Sequence, residues 1–269
     1  ATATGQDDNI GIGYRALKTA NVQDFNRNVA IGSYALGSTG TNAHTGDVAV
    51  GYSALGSIEN GTGNLALGYN AGTASTAGYH NVFIGFESGL ENTTGYRNIA
   101  LGYQAMNDQT SANGIASYDN VFIGHSAGGG TWGNTGTTIN NVAVGNSAMG
   151  GACDNAESNT AIGHASGATM TNADSNTFVG FQSGNALTTG SNNVAMGYNA
   201  LVSQQQGHNN TAIGYKALED ANENVSNLNT AVGANAALNL QTAIKTVAVG
   251  HDAIGSGVCT GDKNVAVGQ

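Results

Sequence analysis

The sequence predicts an all-β chain: a parallel β-solenoid of about fifteen rungs, read as one repeat domain over 1–269. Three observations predict it. A motif with the consensus Asn-x-Ala-x-Gly returns fifteen times. Its copies are 17 to 22 residues apart, with 17 the base period. The chain has 42 glycines and no proline, and a continuous ladder of strands needs every backbone donor.

The motif ends on Gly13, Gly32, Gly51, Gly68, Gly85, Gly102 and Gly124, and then on Gly145, Gly163, Gly180, Gly197, Gly214, Gly233, Gly250 and Gly268. So few patterned residues cannot make a domain. They can make one rung of a stack in which each unit buries its apolar side against its neighbours.

The rung opens on asparagine, as at Asn28, Asn81, Asn120 and Asn176; only Asp47 and Thr246 depart from it. Identical amides stacked rung upon rung can hydrogen-bond as a ladder. A strand follows. Its first residue is Val, Ile, Leu or Thr, its third is Ile, Val, Leu or Met, and these share one face. The residue between them is Ala, Phe or Gly, so the opposite face is apolar too. A strand apolar on both faces is buried on both. A thin rung has one interior, so the second face needs another cover. Partner chains are the simplest supply, and the pattern predicts an oligomer.

The motif glycine closes the strand, as at Gly32, Gly85, Gly124 and Gly180. It marks a corner where φ is positive or another backbone comes close. An aromatic residue or histidine usually follows (Tyr52, Tyr69, Phe86, Tyr103, His125, His164, Phe181). This column reads as packing or as a ladder for stacking sugars, with packing the preferred reading. Further on, two positions trade volume. Phe83, Phe122 and Phe178 each have glycine six residues later, at Gly89, Gly128 and Gly184, where most Ala rungs have a larger residue. Ala66 with Gly72 and Ala161 with Gly167 break that rule, and both precede a Phe rung. Close packing explains this if both positions line one core. The rest of the unit is a polar return loop, which absorbs the insertions.

Charge removes several classes of function. The net charge is −10, with only seven Lys and Arg, which excludes the basic footprint of a nucleic-acid binder and of an electrostatic lipid anchor. No apolar run approaches the length of a membrane span. No signal segment opens the chain, and it ends on Gly268-Gln269 inside a motif, so it reads as a piece of a longer protein.

No catalytic, cofactor or metal site is expected. Gly124-His125-Ser126-Ala127-Gly128 matches G-x-S-x-G, but a nucleophile elbow needs a helix after its turn. Ser126 also occupies a position held elsewhere by Arg15, Asn70, Gln104 and Lys216. His125, His164 and His251 stand in the aromatic column, too far apart to share a zinc ion. His44, His80 and His208 fall in return loops. Cys153 and Cys259 are six rungs apart, beyond the reach of a bridge within the chain. The two longest spacings, from Gly102 to Gly145, carry insertions with Tyr118 and the only tryptophan, Trp132. Loops on rigid scaffolds carry function and tryptophan anchors interfaces, so Trp132 and Tyr118 mark the candidate binding surface.

The motif Asn-Val-Ala-Ile-Gly at 28–32, with Asn-Thr-Ala-Ile-Gly at 159–163 and 210–214, resembles the head repeat of YadA-like trimeric autotransporter adhesins. That resemblance implies a left-handed β-roll and a homotrimer exposed outside the cell on a bacterial surface. It also implies binding to host-cell, matrix-protein or glycan receptors. The residues themselves leave the handedness open. The units here are longer than is usual in those heads. Long units with Tyr after the glycine are also similar to repeats in phage tail-fibre proteins, which would place the chain in a virion tail fibre as a shaft or receptor-binding segment.

Overall fold

The computed structural model describes residues 8–18, 25–39, 44–108, 117–130, 136–221, 227–255, 258–259 and 261–269. The chain is an all-β parallel solenoid of about 13 turns, with no helix among the described residues. It divides into two compact units, Ala1–Ile139 and Asn140–Gln269.

In the first unit seven three-residue strands pair in chain order, from Ile10–Ile12 through Val29–Ile31 and Val48–Val50 to Val121–Ile123. In the second unit eight pair in the same way, from Val142–Val144 to Val265–Val267. Every pairing is parallel and sets like on like: Ala30 lies opposite Ala49, and Ala161 opposite Phe178. A side chain therefore meets its own repeat position above and below, which is why the motif barely drifts.

The middle strand residue points inward. Ala30, Ala49, Ala66, Phe83, Ala100 and Phe122 are fully buried. Six residues on, Leu36, Leu55 and Met106 fill the same core. The expected exchange of volume is real. A Cβ at Gly184 would stand 2.6 Å from the Phe178 ring, and one at Gly128 would stand 2.8 Å from that of Phe122. The preceding turns yield as well: a Cβ at Gly72 would meet the Phe83 ring at 2.7 Å.

The asparagines form the polar spine of each unit. Asn81 donates its backbone N–H to Asn64 Oδ1 at 3.0 Å, and its amide to the same oxygen at 3.1 Å and to the carbonyl of Gly95 at 2.8 Å. Asn176 repeats the set on Asn159 and Gly190. These amides are buried, and burial is tolerable because donor and acceptor are both used.

The corner glycine meets both expectations. At Gly32 φ is 131° and at Gly124 it is 139°. A Cβ built at Gly13 would lie 2.6 Å from the carbonyl oxygen of Gly32 on the next turn. No side chain fits there, so the motif admits only glycine.

One backbone feature has no counterpart in the sequence pattern. Two residues after the corner glycine, φ is 57° at Arg15, 50° at Ser126 and 57° at Lys216. It is again positive two residues later, at Leu36 and Met149, and at the residue before the ladder position, as at Arg27 and Asp119. Left-handed residues of these types are uncommon. Here rung-to-rung bonds hold them: Ser126 donates to the Tyr103 carbonyl at 2.9 Å, and Leu36 to that of Ala54 at 3.1 Å.

Candidate functional site

The first and third residues of each strand point away from the core, and none of them is charged. Leu67 is 45% exposed and Met196 42%. Leu101, Ile162 and Ile213 are exposed in the same row. Among the described residues this is a parallel sheet with one face uncovered, where parallel sheets ordinarily have both faces packed.

The aromatic column runs beside that face, and the corner glycine aims each ring outward. In the first unit Tyr52, Tyr69, Phe86, Tyr103 and His125 stack with centroids 5.0–5.3 Å apart and planes within 12°. In the second, His164, Phe181, Tyr198 and Tyr215 stack at 5.1–5.4 Å and within 15°. An inner ring has a neighbour over each face. The column therefore presents ring edges and phenolic hydroxyls, not the free ring faces that sugar stacking requires. Sheet face and column together make one apolar band along each unit, of the kind that marks an interaction surface.

A second, shorter aromatic ladder lies on another side of the first unit. Tyr79, Tyr96 and Tyr118 stack with centroids 4.7 and 4.6 Å apart and planes 3° and 5° from parallel. Backbone bridges between these tyrosines fix the register. The Arg97 guanidinium lies 4.6 Å from the Tyr96 ring centroid and grips Asp119 through two bonds of 2.6 Å. That grip holds the Asp119 carboxyl below its usual range and raises the Arg97 guanidinium, while partial burial and the neighbouring tyrosines raise the Tyr96 phenol. Tyr118 thus belongs to a built feature. Trp132, the other residue picked out by the insertions, lies outside the described residues, as do 109–116.

The hydrolase-like motif takes a different form. Ser126 sits in a tight turn between two strands, and His125 is stacked on Tyr103 with ring planes 11° apart. His125 is part of the aromatic column, and no helix follows among the described residues. Among the described residues no group of three His, Cys, Asp or Glu is placed to hold a metal ion, and no helix is long and apolar enough to cross a membrane. Both cysteines are free thiols. Burial pushes the Cys153 thiol up to about 12, with the charge of Asp154 adding to it.

His44 does not sit in a loop but in a strand. It is fully buried in a two-residue strand, His44–Thr45, paired with Phe25–Asn26. The signal was present: Asp47, three residues on, is one of the two breaks in the asparagine ladder, and both irregularities fall on one turn.

Comparison with known protein families, with characterised proteins and with solved structures finds no match.

Proposed function

We propose that this chain is a non-catalytic structural and adhesive repeat. In this reading three copies assemble into a left-handed β-roll, a rigid head or rod on a bacterial surface that binds host-cell, matrix-protein or glycan receptors. One observation carries the assembly: the apolar band of sheet face and stacked rings, which nothing covers among the described residues. Identical chains carry identical bands, and a closed symmetric ring lets each band meet another. The number three, the handedness and the surface location rest on the resemblance of the repeat to adhesin heads. Three equal faces would let weak single contacts add through avidity.

Sedimentation of the purified chain at micromolar concentration tests the assembly. The expected species has three times the chain mass, and Leu67→Glu combined with Leu101→Glu shifts it to the single-chain mass. A wild-type monomer overturns the reading. For the adhesive half, the assembled form is expected to be retained on immobilised matrix proteins or host-cell membranes and the monomeric variant to wash off. Equal retention, or none for either, removes adhesion through multivalent contact.

A further inference from the structure

A cavity of about 290 Å³ opens on the first unit, on the side of the turns that follows the aromatic column. It spans successive turns. Lys18, Gly37, Gly56 and Thr73 occupy the same place in four consecutive units. Gly37 and Gly56 carry no side chain, so they leave a bare floor between Lys18 at one end and Thr73 at the other.

The chemistry of the walls is unusual for this chain. Only seven of its residues are Lys or Arg, and two of them, Arg15 and Lys18, line this one cavity. Among the described residues no carboxylate lines it. Elsewhere, Arg97 is neutralised by Asp119 and Lys216 by Glu219 at 3.0 Å. Among the described residues neither Arg15 nor Lys18 has such a partner. The Arg15 guanidinium is placed instead by rings, 5.1 Å from the Tyr14 centroid and 5.7 Å from that of Tyr34. Tyr34 occupies the repeat position of Arg15 rather than that of the column, and stands at 83° to Tyr14 and 69° to Tyr52. The hydroxyls of Ser38, Ser53 and Ser57 complete the lining.

We infer that this trough binds a tetrahedral oxyanion, a sulfate group either free or carried on a sugar. Arginine suits planar and tetrahedral oxyanions because its fork offers parallel donors. The lysine adds a second positive charge, and the serines can donate to the remaining oxygens. The volume lies at the small end of ligand sites, enough for a free anion or for one sugar that carries it. The recognition is local: a chain with net charge −10 repels anions in general, so one that binds does so at a site built for it. This inference stands apart from the assembly reading, since the trough lies within a single chain.

Calorimetric titration of the full chain tests it, with inorganic sulfate, N-acetylglucosamine 6-sulfate and unsulfated N-acetylglucosamine as probes. The wild type is expected to bind at least one sulfated probe with a dissociation constant below about 1 mM, and the neutral sugar not at all. R15Q/K18Q is expected to weaken that binding at least about tenfold, whereas Lys245→Gln leaves it unchanged. Because Arg15 and Lys18 are exposed, the unfolding midpoint of the double variant should match the wild type and separate lost binding from lost fold. Tighter binding of the sulfated sugar than of sulfate assigns the trough to a glycan sulfate; equal binding assigns it to the small anion. Binding unchanged in R15Q/K18Q, equal binding of the neutral sugar, or no binding of either sulfated probe overturns the inference.

Discussion

His44 Nδ1 lies 3.1 Å from the carbonyl oxygen of Gly61. On the following turns the equivalent carbonyl is served by the ladder asparagine: Asn64 donates to Gly78 at 2.9 Å and Asn81 to Gly95 at 2.8 Å. Position 47 holds aspartate, which has no amide to donate. A carbonyl only accepts, so Nδ1 carries the proton and the imidazole supplies the missing donor. Asp47 keeps the other half of the ladder role, with Oδ1 accepting from the Asn64 N–H at 2.8 Å and from its amide at 3.1 Å. The substitution leaves His44 Nε2 and Asp47 Oδ2 buried without a hydrogen-bond partner among the described residues, with Oδ2 3.7 Å from His44 Nδ1.

Removing the imidazole should therefore cost more than lost packing. His44→Ala orphans a buried carbonyl, and we expect it to lower unfolding stability by about 1–3 kcal/mol. The pair H44G/D47N rebuilds the arrangement of the next turns and should recover most of that loss. Denaturant unfolding reads both, and a double variant no more stable than His44→Ala would refute the compensation.

The volume exchange makes a second prediction. Phe178→Ala empties a packed core and is expected to cost about 3–5 kcal/mol. Gly184→Leu alone should also destabilise, because its side chain would enter the space of the Phe178 ring. Combined, the two recreate the Ala-with-Leu turn found at Ala195 and Leu201. The combination should be more stable than either single change, and strict additivity in denaturant melts would show that the two positions do not share space.

The two thiols should separate by reactivity. The thiolate is the reactive species, and Cys153 is fully buried with its thiol pushed up to about 12. Cys259 is partly exposed. A thiol reagent at neutral pH is expected to label one cysteine per native chain and two in denaturant, with peptide mapping placing the first at Cys259. Rapid native labelling of Cys153 would contradict the packing of its turn.

Asp119 should carry a measurable signature of Arg97. Its carboxyl is held below the usual range by the guanidinium. A folded value below the unfolded one contributes stability above the ordinary carboxylate range, and that stability is lost as pH falls through the lowered folded value. The pair is largely exposed, so the effect on stability should be small. Titration by carbon-13 NMR is the sharper measurement. Arg97→Gln should return the Asp119 midpoint to the ordinary range, and no movement would place the cause elsewhere.

The motif residues were legible because of the register. Asn28, Gly32, Asn81, Gly85, Asn120, Gly124, Asn176 and Gly180 each sit at a position that meets its own copy on the adjoining turn, so a change at one is felt by the next. The link between Phe178 and Gly184 could be read for the same reason. The left-handed residues were not legible. Arg15, Ser126 and Lys216 share a backbone conformation and nothing in their side chains, so their variety looked like freedom. The stack of Tyr79, Tyr96 and Tyr118 was hidden by an insertion that stretches one interval to 22 residues while leaving the rings in register.

The corner glycines govern something other than local shape. At Gly13 even a Cβ would stand 2.6 Å from the carbonyl oxygen of the next turn, so layers at such corners meet main chain against main chain, whatever the outer side chains are. Length within a unit then behaves as a digital quantity. Gaining or losing one 17-residue copy changes it by a single strand spacing, about 4.8 Å, and leaves the cross-section as it was. Unequal recombination between copies that share the motif would give a lineage a ready means of tuning reach in fixed steps, while selection acts separately on the residues along the outside.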